Sequence, residues 1–128
     1  MATIPNELLY TDQHEWLRVE GDSATVGITD YAQEHLGDIT FVELPAVGAT
    51  VARGAELCVI ESAKAASSVY APASGKIVAV NEDVGDDPAD VNAEPYGAGW
   101  LVKLELADTS ELASLLRPDA YKPLTMDD

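Results

Sequence analysis

The chain has 128 residues, 47% of them hydrophobic, which suits one compact core and leaves too few residues for two. Seven basic residues against 23 acidic ones give a formal charge of −16, which repels a phosphate backbone and disfavours nucleic-acid binding while favouring partners with basic docking sites. No run approaches the roughly 18–20 apolar residues of a membrane span, so no membrane insertion is expected. Residues 1–7 carry neither a signal peptide's basic and apolar regions nor a transit pattern, which predicts a soluble, cytoplasmic protein. The single cysteine, Cys58, lies in the apolar run Leu57-Cys58-Val59-Ile60. It reads as a small core residue, because no positive charge flanks it to favour a thiolate.

In chain order, Trp16-Leu17-Arg18-Val19-Glu20, the turn Gly21-Asp22 and Ala24-Thr25-Val26-Gly27-Ile28 predict a β-hairpin. Thr29 is an N-cap candidate for a short helix that ends at Gly37. Strand signals follow at 39–44, 49–51, 56–61, 67–70, 77–80 and 100–106, without the long helices a parallel sheet needs between them. The acidic stretch 81–90 reads as a solvated loop, since it lacks a calcium loop's ligand order and Pro88 breaks it. Residues 111–116 are amphipathic, N-capped by Thr109 or Ser110, and stop before Pro118. A turn around 119–121 precedes the acidic tail Asp127-Asp128, which is expected to fray. The unit is therefore one domain over 1–128, with its core at about 14–106 and a C-terminal helical segment at about 109–123.

An internal echo organises these elements. Gly37-Asp38-Ile39-Thr40-Phe41-Val42 resembles Gly75-Lys76-Ile77-Val78-Ala79-Val80, and Val47-Gly48 resembles Val84-Gly85. Two strand–turn–strand copies suit a small flattened β-barrel with pseudo-twofold symmetry, in which neither copy buries its apolar face alone. Residues 61–66 then fall in a connecting hairpin where the copies meet.

That hairpin holds the residue of greatest chemical interest. The chain has four lysines, and Lys76, Lys103 and Lys122 lie in strands or near the terminus. Lys64 alone stands at a tip of small residues, with Ala63 and Ala65 leaving its amine open to a modifying enzyme and Glu61 on the strand leading in. A long acyl group there would end roughly 12–14 Å from the Cα. Such a tether lets bound cargo visit separate active sites without release to water. An isolated Ala-Lys-Ala describes an ordinary solvated lysine equally well; the surrounding sequence decides between them.

Glu61-Ser62-Ala63-Lys64-Ala65-Ala66-Ser67 resembles the lipoylation site of the glycine cleavage H protein family. The resemblance runs along the chain through Tyr10-Thr11-Asp12-Gln13-His14-Glu15-Trp16, Val26-Gly27-Ile28-Thr29-Asp30-Tyr31-Ala32-Gln33 and Leu36-Gly37-Asp38-Ile39-Thr40-Phe41-Val42-Glu43-Leu44-Pro45. It continues in Tyr70-Ala71-Pro72-Ala73-Ser74-Gly75, Pro95-Tyr96-Gly97-Ala98-Gly99-Trp100 and Ser110-Glu111-Leu112. It implies a barrel-sandwich hybrid fold, mainly β with a few short helices, and lipoate joined covalently to Lys64. It also implies a carrier without catalysis of its own, in which cofactors and partners supply the chemistry. The implied partners are the P protein (a pyridoxal-phosphate glycine decarboxylase), the T protein (an aminomethyltransferase using tetrahydrofolate) and the L protein (dihydrolipoamide dehydrogenase). A lipoyl or octanoyl transferase, or a lipoate ligase, would attach the arm to what is expected to be a monomer, reading Glu61, Ala63 and Ala65.

In that family the loaded arm folds back into a cleft beside a Ser-His-Glu segment, matched here by Gln13-His14-Glu15. The resemblance makes Glu15 the first candidate to hold the cargo's ammonium by a charge-assisted hydrogen bond, with Gln13 standing where the family has serine. The family usually has Val before the modified lysine and Asp four residues after it; this chain has Ala63 and Ser68, so arm locking is expected to be weaker. His14 and His35 read as structural, since a carrier needs no general base, and they are not spaced as metal ligands. Trp16 and Trp100 read as core or cleft-wall residues. The competing readings are a lipoyl domain of a 2-oxo acid dehydrogenase, a biotin carrier domain, and an H-like protein that relays lipoyl groups or regulates. Biotinyl domains flank their lysine with methionines, unlike Ala63 and Ala65.

Overall fold

The computed structural model describes residues 3–125. Two antiparallel sheets carry the fold. One has the strand order β1 (Leu9–Tyr10), β2 (Glu15–Glu20), β3 (Ser23–Ile28), β9 (Val102–Leu106), β8 (Gly75–Val80), β5 (Thr50–Val51). The other has β4 (Ile39–Glu43), β6 (Glu56–Ser62) and β7 (Ala66–Tyr70). Between them lies one apolar core, with Val26, Ile60, Ile77, Leu104 and Leu101 fully buried. This is a mainly β, flattened barrel-sandwich with short helices at its ends. The expected β2–β3 hairpin forms with Glu20 opposite Ser23, and β1, a short strand outside the expected ones, pairs with β2.

The sequence echo has a structural counterpart. β4 slips register between Ile39 and Phe41, and β8 slips between Ile77 and Ala79, the same place in each copy. In each, one extra residue, Thr40 or Val78, bulges outward while the preceding isoleucine stays buried. The second half of the echo diverges: Val47-Gly48 forms a turn, whereas Val84-Gly85 is helical.

That helix corrects the loop expected over 81–90. Asn81 caps α2 (Glu82–Asp86) by accepting the Asp83 N–H, and α3 (Ala89–Ala93) follows after Pro88. Val84 and Val91 are fully buried, so the acidic residues coat two short helices that cover the core. The C-terminal expectation also changes. Residues Thr109–Ser114 form a 3₁₀-helix, and its cap is Asp108, whose carboxylate accepts the Ser110 N–H, in place of Thr109 or Ser110. Leu112 and Leu115 are three apart, a spacing that stacks on one face of a threefold helix, and Leu115 packs into the core. Pro118 opens α4 (Pro118–Tyr121) from its first position, and a 3₁₀ turn over Lys122–Thr125 follows. Asp127 and Asp128 lie outside the described residues.

A second, aromatic cluster packs outside the barrel. Trp16, Tyr10 and Tyr121 are fully buried with Leu8, and Trp16 donates to the Pro95 carbonyl at 2.9 Å. Trp16 sits opposite Gly27 on β3, where an added Cβ would come within 2.7 Å of the indole. Glycine there is what lets the ring lie flat on the strand. Trp16 is thus a core residue, while Trp100 is half-buried beneath the Lys103 ammonium, 5.2 Å from the ring centre.

Candidate functional site

Lys64 stands at the exposed tip of the β6–β7 hairpin, between exposed Ala63 and Ala65. Ser62 shapes that tip. Its Oγ accepts the N–H groups of Lys64 (3.3 Å) and Ala65 (3.1 Å), and its own N–H donates to the Ala65 carbonyl at 2.7 Å. The tip also leans on its neighbour, because the Ala63 N–H donates to the Asp38 carbonyl at 3.1 Å. Asp38 follows α1 (Asp30–Leu36), capped by Thr29 as expected and closed by Gly37 at φ 78°. An added Cβ on Gly37 would lie 3.6 Å from Lys64 Cε, so the lysine stem runs over a residue that needs glycine's conformational freedom. Glu61 is exposed on β6, paired with Phe41 on one side and Ala66 on the other.

One supporting residue has no sequence signal. Asn92 of α3 donates from Nδ2 to the Gly37 carbonyl (2.8 Å) and to Gln33 Oε1 (2.9 Å), while its Oδ1 accepts the Ile39 N–H (2.9 Å). Both available hydrogens and one lone pair are thereby spent holding the turn on which the lysine tip rests. A lone asparagine in an acidic stretch gives no hint of this, because its three partners are some 53 to 59 residues away.

The arm-docking candidates divide. Gln13 and Glu15 line a cleft of about 250 Å³ with Tyr10, Arg53, Tyr70 and Leu116. Glu15 is only 2% exposed, and both its oxygens are engaged: Oε1 accepts the Thr11 hydroxyl at 2.6 Å and Oε2 accepts the Tyr70 N–H at 2.9 Å. Burial pushes its pKa up, against the pull of those two hydrogen bonds. His14 turns away from the cleft. Its backbone adopts φ 70°, its Nδ1 meets the Tyr121 hydroxyl at 2.8 Å, and its ring packs on Tyr31. The Tyr121 hydroxyl also meets Thr29 Oγ1 at 2.7 Å, which ties the C-terminal segment to the cap of α1. His35 bonds the Tyr31 carbonyl one turn back in α1 and stacks on the same ring. Ser68 lies outside the cleft wall, on the outer face of β7, and donates to Glu56.

Cys58 is buried, and burial with Glu15 and Glu56 nearby pushes its thiol up to about 12, so it supplies no thiolate. Among the described residues no group of three or more His, Cys, Asp and Glu side chains is placed to hold a metal ion, and no helix is long and apolar enough to cross a membrane.

Comparison with known proteins identifies the family. The pattern that defines the glycine cleavage H-protein family matches residues 8–128. The chain is 56% identical to the glycine cleavage system H protein of Escherichia coli O45:K1 and 54% identical to that of Cronobacter sakazakii, with all of each chain covered. The crystal structure of a glycine cleavage system H protein from Mycobacterium marinum superposes with a TM-score of 0.87 at 43% identity, covering 94% of this chain and 97% of that one. The chain therefore belongs to the glycine cleavage H-protein family.

Proposed function

We propose that this protein is the lipoyl carrier of a glycine cleavage system, with lipoate in amide linkage to Nζ of Lys64. The carrying observation is the hairpin tip. Lys64 alone among the lysines projects from a turn of alanines that Ser62 and Asp38 hold in place. The surroundings fit such an arm: Ala65 and Ala66 leave it room, and the half-buried outer face of β7 gives it a surface to lie along. When bound, the lipoyl disulfide supplies the sulfur that takes up a one-carbon group and is later regenerated.

This chain's own residues then do mechanical and electrostatic work. Ser62 and Asp38 present the amine to a lipoyl or octanoyl transferase or lipoate ligase, with Glu61, Ala63 and Ala65 as the adjoining contacts. The acidic surface draws the chain toward partners with basic docking sites. The partners in this reading are the P, T and L proteins, and the chain is a non-catalytic, cytoplasmic monomer. Gln13 and Glu15 would serve the arm as parts of the cleft wall.

Intact-mass measurement on the protein from its native cells tests the attachment: the lipoyl increment on wild type and its loss in Lys64→Arg are expected. An unmodified Lys64 in cells with working lipoylation refutes it. Reconstitution with the P, T and L proteins and labelled glycine tests the role. Labelled carbon dioxide release that needs Lys64 is the expected result. A lipoylated chain that supports none of it is a relay or regulatory protein.

A further inference from the structure

A line of hydrogen bonds runs from the N-terminal segment to the turn beneath the lysine tip, and each amide in it can point only one way. It begins at the Asp30 carboxylate, which accepts the Thr3 N–H at Oδ2 (2.8 Å) and a hydrogen of Gln33 Nε2 at Oδ1 (2.7 Å). A carboxylate only accepts, so the Gln33 amide turns its nitrogen to Asp30 and its oxygen to Asn92. Gln33 Oε1 then takes one hydrogen of Asn92 Nδ2 (2.9 Å), and the second goes to the Gly37 carbonyl (2.8 Å). On its other side Asn92 Oδ1 faces the Ile39 N–H (2.9 Å), a group that only donates. Both ends of the line thus fix the same orientation, and Asn92 is the member that meets the turn.

What Asn92 holds there has little restraint of its own. Gly37 sits at φ 78°, ψ −154°, a region open essentially to glycine alone, and glycine's lack of a side chain leaves the Gly37–Asp38 peptide loose. Asn92 fixes that peptide through the Gly37 carbonyl and fixes the chain just beyond it through the Ile39 N–H. Between those two points lies Asp38, whose carbonyl receives the Ala63 N–H at 3.1 Å. The turn within the tip is closed separately, by Ser62 on Ala65.

We infer, resting on the carrier reading above, that Asn92 is a positioning residue for acylation of Lys64: it aims the amine by holding the Gly37–Asp38 peptide on which the tip leans. Ser62 sets the local shape of the turn, and Asn92 sets the direction in which that turn points. Attachment joins Lys64 Nζ to the carboxyl carbon of a lipoyl-adenylate, which a lipoate ligase makes from lipoate and ATP with release of pyrophosphate. The carbon–nitrogen bond forms as the carbon–oxygen bond to AMP breaks, and the protons lost from the ammonium pass to solvent. A displaced tip brings the amine to that carbon less often, which lowers kcat, while the docking contacts that govern KM remain.

Asn92→Asp tests this at constant size. It keeps the Ile39 bond and sets an oxygen against both the Gly37 carbonyl and Gln33 Oε1. With the full-length unmodified chain, lipoate ligase, lipoate and ATP, initial rates by intact mass should show kcat roughly tenfold lower and KM within about twofold of wild type. Asn92→Ala removes the donors without the repulsion or the added charge. It should show the same split with a smaller fall, and it carries the test if the aspartate variant does not fold. Val84→Ala, a core change under neighbouring α2, should be acylated like wild type. Hydrogen exchange gives a readout independent of turnover: the Ala63 amide should lose protection in either Asn92 variant, while the Ser62 amide, bonded within the tip, keeps it. Unchanged kcat in both Asn92 variants, a fall matched by Val84→Ala, or Ala63 and Ser62 amides that lose protection together overturns the assignment. If wild-type Lys64 accepts no lipoyl group, the carrier reading fails and the assignment with it, before any variant is compared.

Discussion

Replacing Glu15 with glutamine removes one acceptor from a buried site that needs two. Thr11 Oγ1 already accepts the N–H groups of Gln13 and Glu15, each at 3.2 Å, and donates its own hydrogen to Glu15 Oε1. A glutamine amide has a single oxygen. Turned toward the Tyr70 N–H, it sets its NH₂ against a hydroxyl whose lone pairs are filled; turned toward Thr11, it sets NH₂ against N–H. Either way a buried donor goes unanswered, at a cost of about 1–3 kcal/mol. Relief from burying a charge offsets part of this, and about 2 kcal/mol remains at pH 7. For a chain of this length that lowers the melting temperature by roughly 6–10 °C.

The pH dependence has a definite sign. Because burial raises the folded pKa of Glu15, its stabilising contribution is fully present below the ordinary value near 4.5 and is lost as pH rises through the folded value. The gap between wild type and Glu15→Gln should therefore widen on going from pH 7 down toward pH 4.5. Calorimetric melting of both proteins across that range measures it. A gap under roughly 2 °C at pH 7, or one that narrows on acidification, would show that Glu15 is not the brace described here.

Three other outcomes follow from the packing. Tyr121→Phe deletes the hydroxyl shared by His14 and Thr29 and should cost about 1–3 kcal/mol, with residues after Arg117 becoming the first site of limited proteolysis. Val84→Ala should cost about 2 kcal/mol in denaturant unfolding, since the side chain is fully buried under α2; a loop in solvent would lose almost nothing. Cys58, its thiol held near 12 inside the barrel, should resist iodoacetamide at pH 8 in the native protein and react completely once unfolded.

Much of this architecture was legible because it rests on strong local signals. Alternation around Gly21-Asp22 announced the β2–β3 hairpin, Thr29 announced α1, and the small residues around Lys64 announced an open tip. What escaped was short or distant. α2 and α3 span five residues each, too few for a helical period to show, and each buries a single valine, set among three acidic residues in α2 and beside Asp90 in α3. The C-terminal segment looked α-helical from its composition, yet Asp108 supplies an earlier cap and Glu111 is held to Ser74 by two hydrogen bonds. The site was only half legible for a related reason. Lys64 is marked by its neighbours in sequence, whereas the state of Glu15 depends on Tyr70, 55 residues away, and the placement of the tip depends on Asn92, whose bonds to Gly37 and Ile39 no local pattern announces.

The anchorage of the lysine tip also bears on timing. Ala63 rests on Asp38, and the turn at Gly37 is clamped by Asn92, so three separated parts of the chain must be docked before the tip has its final form. During synthesis Lys64 emerges well before residue 92, and until then it is an alanine-flanked lysine on a hairpin without its support. An enzyme that reads the tip by shape would thus leave nascent and misfolded chains alone, and the modification itself would certify that folding is complete.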